Sequence, residues 1–68
     1  MEPLLNIDKA ATLLGLTRAQ LYELTRNRSR IRQRIPLPFI RIGRRILFRA
    51  MSLERWITEL ERQAERPG

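Results

Sequence analysis

Two short helices joined by a tight corner are indicated near the N-terminus. Asn6 can cap a first helix, placed at residues 7–14, because its side-chain oxygen can accept from unpaired N–H groups of the first turn. Gly15 can end that helix, since glycine tolerates the left-handed conformation just beyond a helix C-terminus. These signals predict a helix of about two turns.

A second helix follows almost at once. Thr17 and Gln20 match the capping box, in which each side chain bonds to the other residue's backbone N–H. We place this helix at residues 18–28. Only Gly15 and Leu16 separate the two helices, so they must meet at a steep angle. This geometry is typical of a helix-turn-helix, although an ordinary helical corner would have the same signals.

The positive charge is concentrated in the middle of the chain. The sequence has 14 Lys+Arg against 7 Asp+Glu, a formal net charge of +7, and Lys9 is the one lysine. No acidic residue falls at residues 24–53, where most of the arginines lie. A block of one sign indicates a polyanionic partner, and guanidinium groups match phosphate and guanine edges. The alternatives are a solvated basic loop and a compositional bias toward arginine.

Composition also excludes several classes of protein. The sequence of 68 residues contains no Cys and no His, which excludes a disulfide framework and a Cys/His metal site. We expect one domain over residues 1–68, with no cofactor and no enzymatic activity. Because no apolar run is long enough to span a membrane and no signal peptide is evident, we expect a cytoplasmic protein. The basic block adds the expectation that it is nucleoid-associated.

Residues 27–35 have no clear period. The segment alternates arginine with other residues and is compatible with a strand, a helical extension or a flexible arm. We interpret it as a basic connector that orders on DNA. Pro36 and Pro38 then restrict the residues before them to extended conformations, which predicts a stiff lead into a strand.

Residues 39–48 predict a β-hairpin, because they are rich in Ile, Phe and Leu around Gly43. We favour a three-residue loop of Gly43, Arg44 and Arg45, with Arg41 on the outer face. A two-residue loop would place Arg45 beside the isoleucines and divide the apolar set. The favoured loop gives one wholly apolar face, made of Ile40, Ile42, Ile46 and Phe48.

A last helix is predicted at residues 50–64. Its apolar residues recur at helical spacing, and its opposite face carries charges of both signs. Trp56 is the largest apolar side chain and should anchor the core. The predicted buried stripe consists of Leu53, Trp56, Ile57, Leu60 and Ala64.

Three motifs in this order resemble one family. NIDKAATLLGLT at the corner, RIGRR at the hairpin and LERWI in the last helix are similar to small phage and plasmid regulators of the excisionase/AlpA group, distant relatives of MerR DNA-binding domains. The resemblance implies a small α+β winged helix-turn-helix. The chain departs from the family at residues 27–35, where a longer Arg-rich stretch replaces a short glycine-containing turn.

The resemblance implies that the second helix enters the major groove and that the hairpin wing contacts the adjacent minor groove or backbone. Arg18 would read guanine, Gln20 adenine and Ala19 a thymine methyl. Other arginines and a tyrosine would hold phosphates or enter the minor groove. The predicted DNA-binding residues are Arg18, Ala19, Gln20, Tyr22, Arg26, Arg28, Arg41, Arg44 and Arg45.

Two functions follow from the resemblance: transcriptional regulation of a mobile element, and DNA bending for a site-specific recombinase during excision. One small module reads few base pairs, so we expect cooperative multimers on DNA from a protein that is monomeric or weakly associating in solution. An integrase or RNA polymerase is a further expected partner. The alternative is a protein-interaction adaptor that recruits a recombinase or polymerase through its last helix.

Overall fold

The computed structural model describes residues 3–65. It has a small α+β architecture with one two-stranded antiparallel sheet, as predicted for a winged helix-turn-helix. No helix within that range is both long enough and apolar enough to cross a membrane. The elements in chain order are α1 (Ile7–Leu14), α2 (Arg18–Thr25), α3 (Asn27–Arg30), β1 (Ile40–Ile42), β2 (Arg45–Leu47) and α4 (Ala50–Glu65).

The signals at the α1–α2 corner act as predicted. Asn6 Oδ1 accepts from the Lys9 N–H at 2.9 Å, and Gly15 ends α1 with φ 70°. Thr17 Oγ1 accepts from the Gln20 N–H at 3.1 Å, while Gln20 Oε1 accepts from the Thr17 N–H at 2.9 Å. The capping box is therefore complete, and it fixes where α2 begins.

The second helix is shorter than predicted, because it ends at Thr25 rather than near residue 28. Arg26 has extended backbone angles, φ −75° and ψ 143°, which break the i to i−4 hydrogen-bond ladder. Its N–H bonds to the Glu23 carbonyl at 3.2 Å instead. The Thr25 hydroxyl donates to the Tyr22 carbonyl at 2.7 Å, which satisfies one carbonyl of the last turn.

The connector at residues 27–35 starts as a helical extension, which was one of the three conformations that its sequence left open. It begins with the single turn of α3 and is then held by Gln33. Gln33 Nε2 donates to the Leu24 carbonyl at 3.0 Å, and its Oε1 accepts from the Leu37 N–H at 2.9 Å. Arg30 Nη1 donates to the Leu37 carbonyl at 2.7 Å. These bonds tie the connector to the end of α2.

The hairpin has a two-residue loop, so the predicted three-residue loop is wrong. Gly43 and Arg44 form the turn, and Arg45 already belongs to β2. Gly43 has φ 59°, and Arg44 does not have a positive φ, which fits the type II′ turn favoured between twisted strands. We call residues 40–47 the wing. Its cross-strand pairs are Ile40 with Leu47, Arg41 with Ile46, and Ile42 with Arg45.

This register divides the apolar face that was predicted. Cross-strand partners share a face, so Arg41 lies beside Ile46 on the side of the sheet that meets the helices, rather than on the outer face. Ile40 and Ile42 lie on the other face and are 36% and 55% exposed. Ile46 of β2 and Phe48, just after β2, pack in or against the core, whereas Ile40 and Ile42 do not.

The base of the wing is joined to the N-terminal lead-in. The Leu5 N–H donates to the Phe48 carbonyl at 2.7 Å, and the Phe48 N–H donates to the Leu5 carbonyl at 2.9 Å. A two-stranded ribbon is barely stable alone in water. This bridge therefore stabilises the wing where it leaves the core.

The core lies under the α1–α2 corner, and Phe48 rather than Trp56 is its largest fully buried side chain. Trp56 is half-buried at the edge, where its Nε1 donates to the Ile35 carbonyl at 2.8 Å. Leu60 is 38% exposed and Ala64 is also exposed, so the predicted stripe is covered only in its first turns. A helix of 16 residues is about 24 Å long, and the small core does not extend under all of it. The buried apolar residues are Ile7, Ala10, Ala11, Leu21, Leu37, Phe48 and Leu53.

Candidate nucleic-acid interface

A shallow depression of about 550 Å³ separates α2 from the wing. Ala19, Tyr22 and Arg26 line its α2 side. Arg41 and Ile46 line its wing side. The outward face of α2 and the inner face of the wing therefore open toward the same solvent region.

A second depression, of about 270 Å³, continues this surface toward α1. It brings Arg18 and Tyr22 of α2 next to Arg44 and Arg45 of the wing, with Asp8 at its edge. Tyr22 borders both depressions and thus joins the two halves of the surface. We call this the α2–wing surface; its exposed members are Arg18, Ala19, Tyr22, Arg26, Arg41, Arg44 and Arg45.

Arg18 is held in place by two neighbours at the first turn of α2. Its Nε lies 3.4 Å from the Asp8 carboxylate, and its guanidinium stands 5.8 Å from the centre of the Tyr22 ring. The pKa of Arg18 is raised above its ordinary value, first by Tyr22 and then by Asp8. Arginine is a cation at any physiological pH, and these two neighbours restrict the orientation of the Arg18 side chain, which suits it to a directed contact with an anion or a base edge.

Gln20 is committed to the capping box. Its Oε1 accepts from Thr17, so the amide is turned back toward the start of α2. Reading adenine requires the same oxygen together with the side-chain NH2 group. The predicted adenine contact thus competes with the cap, whereas the neighbouring Ala19 is exposed and free of this conflict.

Glu23 organises the C-terminal end of α2, a role that the sequence analysis missed. Its carboxylate lies 3.4 Å from Arg26 Nε and 3.5 Å from Arg28 Nη2, and it accepts from the Ser29 hydroxyl at 3.1 Å. The i, i+3 spacing of Glu23 and Arg26 was the available signal. Exposed ion pairs are worth about 0–1 kcal/mol, so a phosphate can replace the carboxylate at little cost.

The three arginines of the wing are the most available cations of this surface. Arg41, Arg44 and Arg45 are exposed, and none forms an ion pair with another residue in the range 3–65. Two of them lie at or beside the turn, where the chain projects furthest from the hydrogen-bonded ladder. This arrangement places free positive charge at the tip of a ribbon.

Other contacts position the surface without belonging to it. Arg30 stacks over the Phe39 ring at 4.8 Å, and Gln33 joins α2 to the segment that leads into β1. The sequence gives no periodic signal for the role of Gln33, because the tertiary fold brings its two backbone partners, at Leu24 and Leu37, within reach. These bonds fix the distance between α2 and the wing, which the unusual length of the connector had left open.

The α2–wing surface offers positive charge and a shallow concave shape. Within residues 3–65, no group of three Asp, Glu, His or Cys side chains is placed to hold a metal ion. A helix with a basic outward face beside a basic ribbon is the charge pattern expected of a protein that binds duplex DNA.

Comparison with known families agrees with this geometry. The model of the family described as helix-turn-helix domain matches residues 4–61, from the lead-in before α1 through most of α4. No curated protein and no solved structure gives a significant match. The match supports sequence-specific binding to double-stranded DNA, with α2 as the second helix of the motif. The chain belongs to the helix-turn-helix domain family.

Proposed function

We propose that this protein regulates a mobile element by binding specific duplex DNA without any chemical step. It acts either as an excisionase, which bends DNA for a recombinase, or as an AlpA-like transcriptional regulator. The observation that supports the proposal most is the common orientation of α2 and the wing, whose arginines open toward one region of solvent. The motifs shared with the excisionase/AlpA group favour these two roles over other helix-turn-helix functions.

In the proposed complex, the N-terminal end of α2 lies in the major groove and the wing lies over the adjacent minor groove. Arg18 reads a guanine edge, and Ala19 lies beside a thymine methyl. Tyr22 and Arg26 bind phosphates of the DNA backbone between the two grooves. For this contact, Arg26 leaves its ion pair with Glu23 and pairs with a phosphate. Phosphate contacts set the register, and base contacts carry the sequence preference.

Several copies on repeated sites would supply the selectivity that one small module lacks. A partner enzyme is the alternative source of selectivity, and α4 offers a place for one. A depression of about 440 Å³ on α4 lies outside the α2–wing surface and is lined by Met51, Glu54, Arg55, Thr58 and Glu59. Met51 is 51% exposed there, which favours α4 as the docking face for a recombinase or RNA polymerase.

Replacing Arg18 with alanine tests the proposed base reading. We expect a loss of about 1–3 kcal/mol, or roughly 5- to 150-fold in affinity, on the preferred site, together with relaxed preference at one base position. Fluorescence anisotropy at fixed salt, on a site selected from random duplexes and on its single-base variants, measures both effects. Arg55→Ala on α4 is the matched control and should bind as the unchanged protein does. A uniform loss on all sequences would remove Arg18 from the residues that read bases.

Footprinting on DNA that flanks the gene for this protein distinguishes the two proposed roles. Protection of direct repeats beside an attachment site would support excision. Protection over a promoter would support transcriptional control. Binding to all duplexes with equal affinity would contradict both roles.

A further inference from the structure

The outer face of the wing carries an exposed isoleucine close to its tip. Ile42 is the last residue of β1, is paired with Arg45, and precedes the Gly43–Arg44 turn. Its side chain is 55% exposed. A single exposed apolar residue is ordinary on protein surfaces. The position of Ile42 is not ordinary, because the rest of the tip is a glycine and arginines.

The backbone around Ile42 is well fixed for so small a ribbon. The cross-strand ladder holds β1 against β2, and the Leu5–Phe48 bridge stabilises the base of the wing. A β-branched side chain has few χ1 rotamers. Ile42 therefore projects from the ribbon as a short, stiff apolar group.

Cations lie beside this apolar group along the ribbon. Arg45 is its cross-strand partner on the same face, Arg44 lies in the turn, and Arg41 precedes it on the inner face. All three are exposed and form no ion pair within the described part of the chain. Arginines at a narrow minor groove gain from its negative potential, and they would bring Ile42 to the edges of the bases.

We propose that Ile42 is a wedge that enters between two stacked base pairs from the minor groove and kinks the DNA. This inference rests on the proposed function. An apolar wedge must unstack two base pairs, and this cost is offset when the bent duplex covers more of the protein. Pyrimidine–purine steps unstack most easily, so the wing also selects a TA or CA/TG step at its position in the site.

The competing explanation is a contact between copies on DNA. Ile40, Ile42 and the half-buried Leu47 share the outer face of the wing and form an apolar strip. That strip narrows toward the tip, since the cross-strand partner of Ile42 is an arginine. Ile42 thus lies where the strip is most basic, which favours the polyanion over a second copy of a basic protein.

The experiment measures bending and unstacking together. A duplex with the selected site is labelled at both ends for energy transfer, and 2-aminopurine replaces the adenine of the step beneath the wing. Ile42→Ala and Ile42→Thr remove the wedge, Ile42→Leu keeps an apolar group of equal size, and Ile40→Ala is the control on the same face. Ile42→Thr keeps a β-branched residue, which favours the strand conformation. A loss of bending in this variant as well as in Ile42→Ala is therefore not explained by loss of the strand.

The unchanged protein and Ile42→Leu should bend the duplex and raise 2-aminopurine fluorescence at that step alone. Both small variants should lose most of the bend and of the fluorescence rise, with an unchanged dependence of affinity on salt, since no phosphate contact is removed. Full bending and unstacking by Ile42→Ala would overturn the wedge. A small variant that keeps the bend but binds less cooperatively would also overturn the wedge, and would support the contact between copies. If the unchanged protein binds no duplex, the proposed function fails instead.

Discussion

Replacing Arg44 and Arg45 together with alanine should flatten the dependence of DNA affinity on salt. Each phosphate contact contributes about 0.9 to the slope of log affinity against log salt, so the loss of two contacts lowers the slope by about 1.8. The reason is that both guanidinium groups are exposed at the wing tip and free of ion pairs within residues 3–65. Affinity measured between 50 and about 200 mM salt gives the slope directly.

The matched control removes the same charge from α4, outside the α2–wing surface. Arg55→Ala with Arg62→Ala changes two arginines of α4, and Arg62 is already paired with Glu59 at 2.9 Å. This variant should keep the slope of the unchanged protein apart from a small long-range term. Equal slopes for both double variants would show that the wing does not contact the DNA backbone.

Replacing Phe48 with alanine should remove about 3–5 kcal/mol from the free energy of unfolding. Phe48 is fully buried, and its backbone also makes both hydrogen bonds of the bridge to Leu5. A domain of 68 residues has roughly 3–10 kcal/mol to lose at the usual 0.05–0.15 kcal/mol per residue. We therefore expect the variant to be largely unfolded at 37 °C, as measured by urea titration followed by circular dichroism.

Leu60→Ala is the control for this prediction, because Leu60 is 38% exposed although its sequence position suggests a buried residue. Its substitution should cost well under half of the Phe48 effect. Similar losses for the two variants would show that the core extends along α4, and that Phe48 is not its centre.

The helix boundaries set by caps were predictable because each depends on residues close in sequence. Asn6, Gly15 and the Thr17–Gln20 pair have the cap conformations that their local sequence predicts. The early end of α2 was not predictable in this way. It depends on the extended conformation of Arg26 and on bonds from Gln33, which lies nine residues beyond Leu24.

The predicted hairpin register was wrong because apolar character alone does not decide how the two strands pair. The turn at Gly43 and Arg44 satisfies the twist of the strands, and Phe48 is fixed by its bridge to Leu5, outside the hairpin. The inner face then accepts Arg41, and two isoleucines remain exposed. The sequence alone has no signal for the Leu5 bridge.

The candidate site was largely predictable as a surface and less so as a set of contacts. The second helix and the wing follow from caps, charge and the hairpin, and the arginines lie where these elements place them. The partners of these side chains depend on tertiary structure. Asp8 reaches Arg18 from another helix, and Glu23 holds both Arg26 and Arg28 after the chain bends.

We propose that α2 and the wing form one surface that binds duplex DNA. Amide chemical shifts of the isotope-labelled protein, recorded while a duplex with the selected site is added, test it most directly. We predict that residues 18–22 and 42–45 shift together at the same DNA concentration, while residues 54–62 of α4 do not. Shifts confined to α4, or to only one of the first two segments, would contradict the claim.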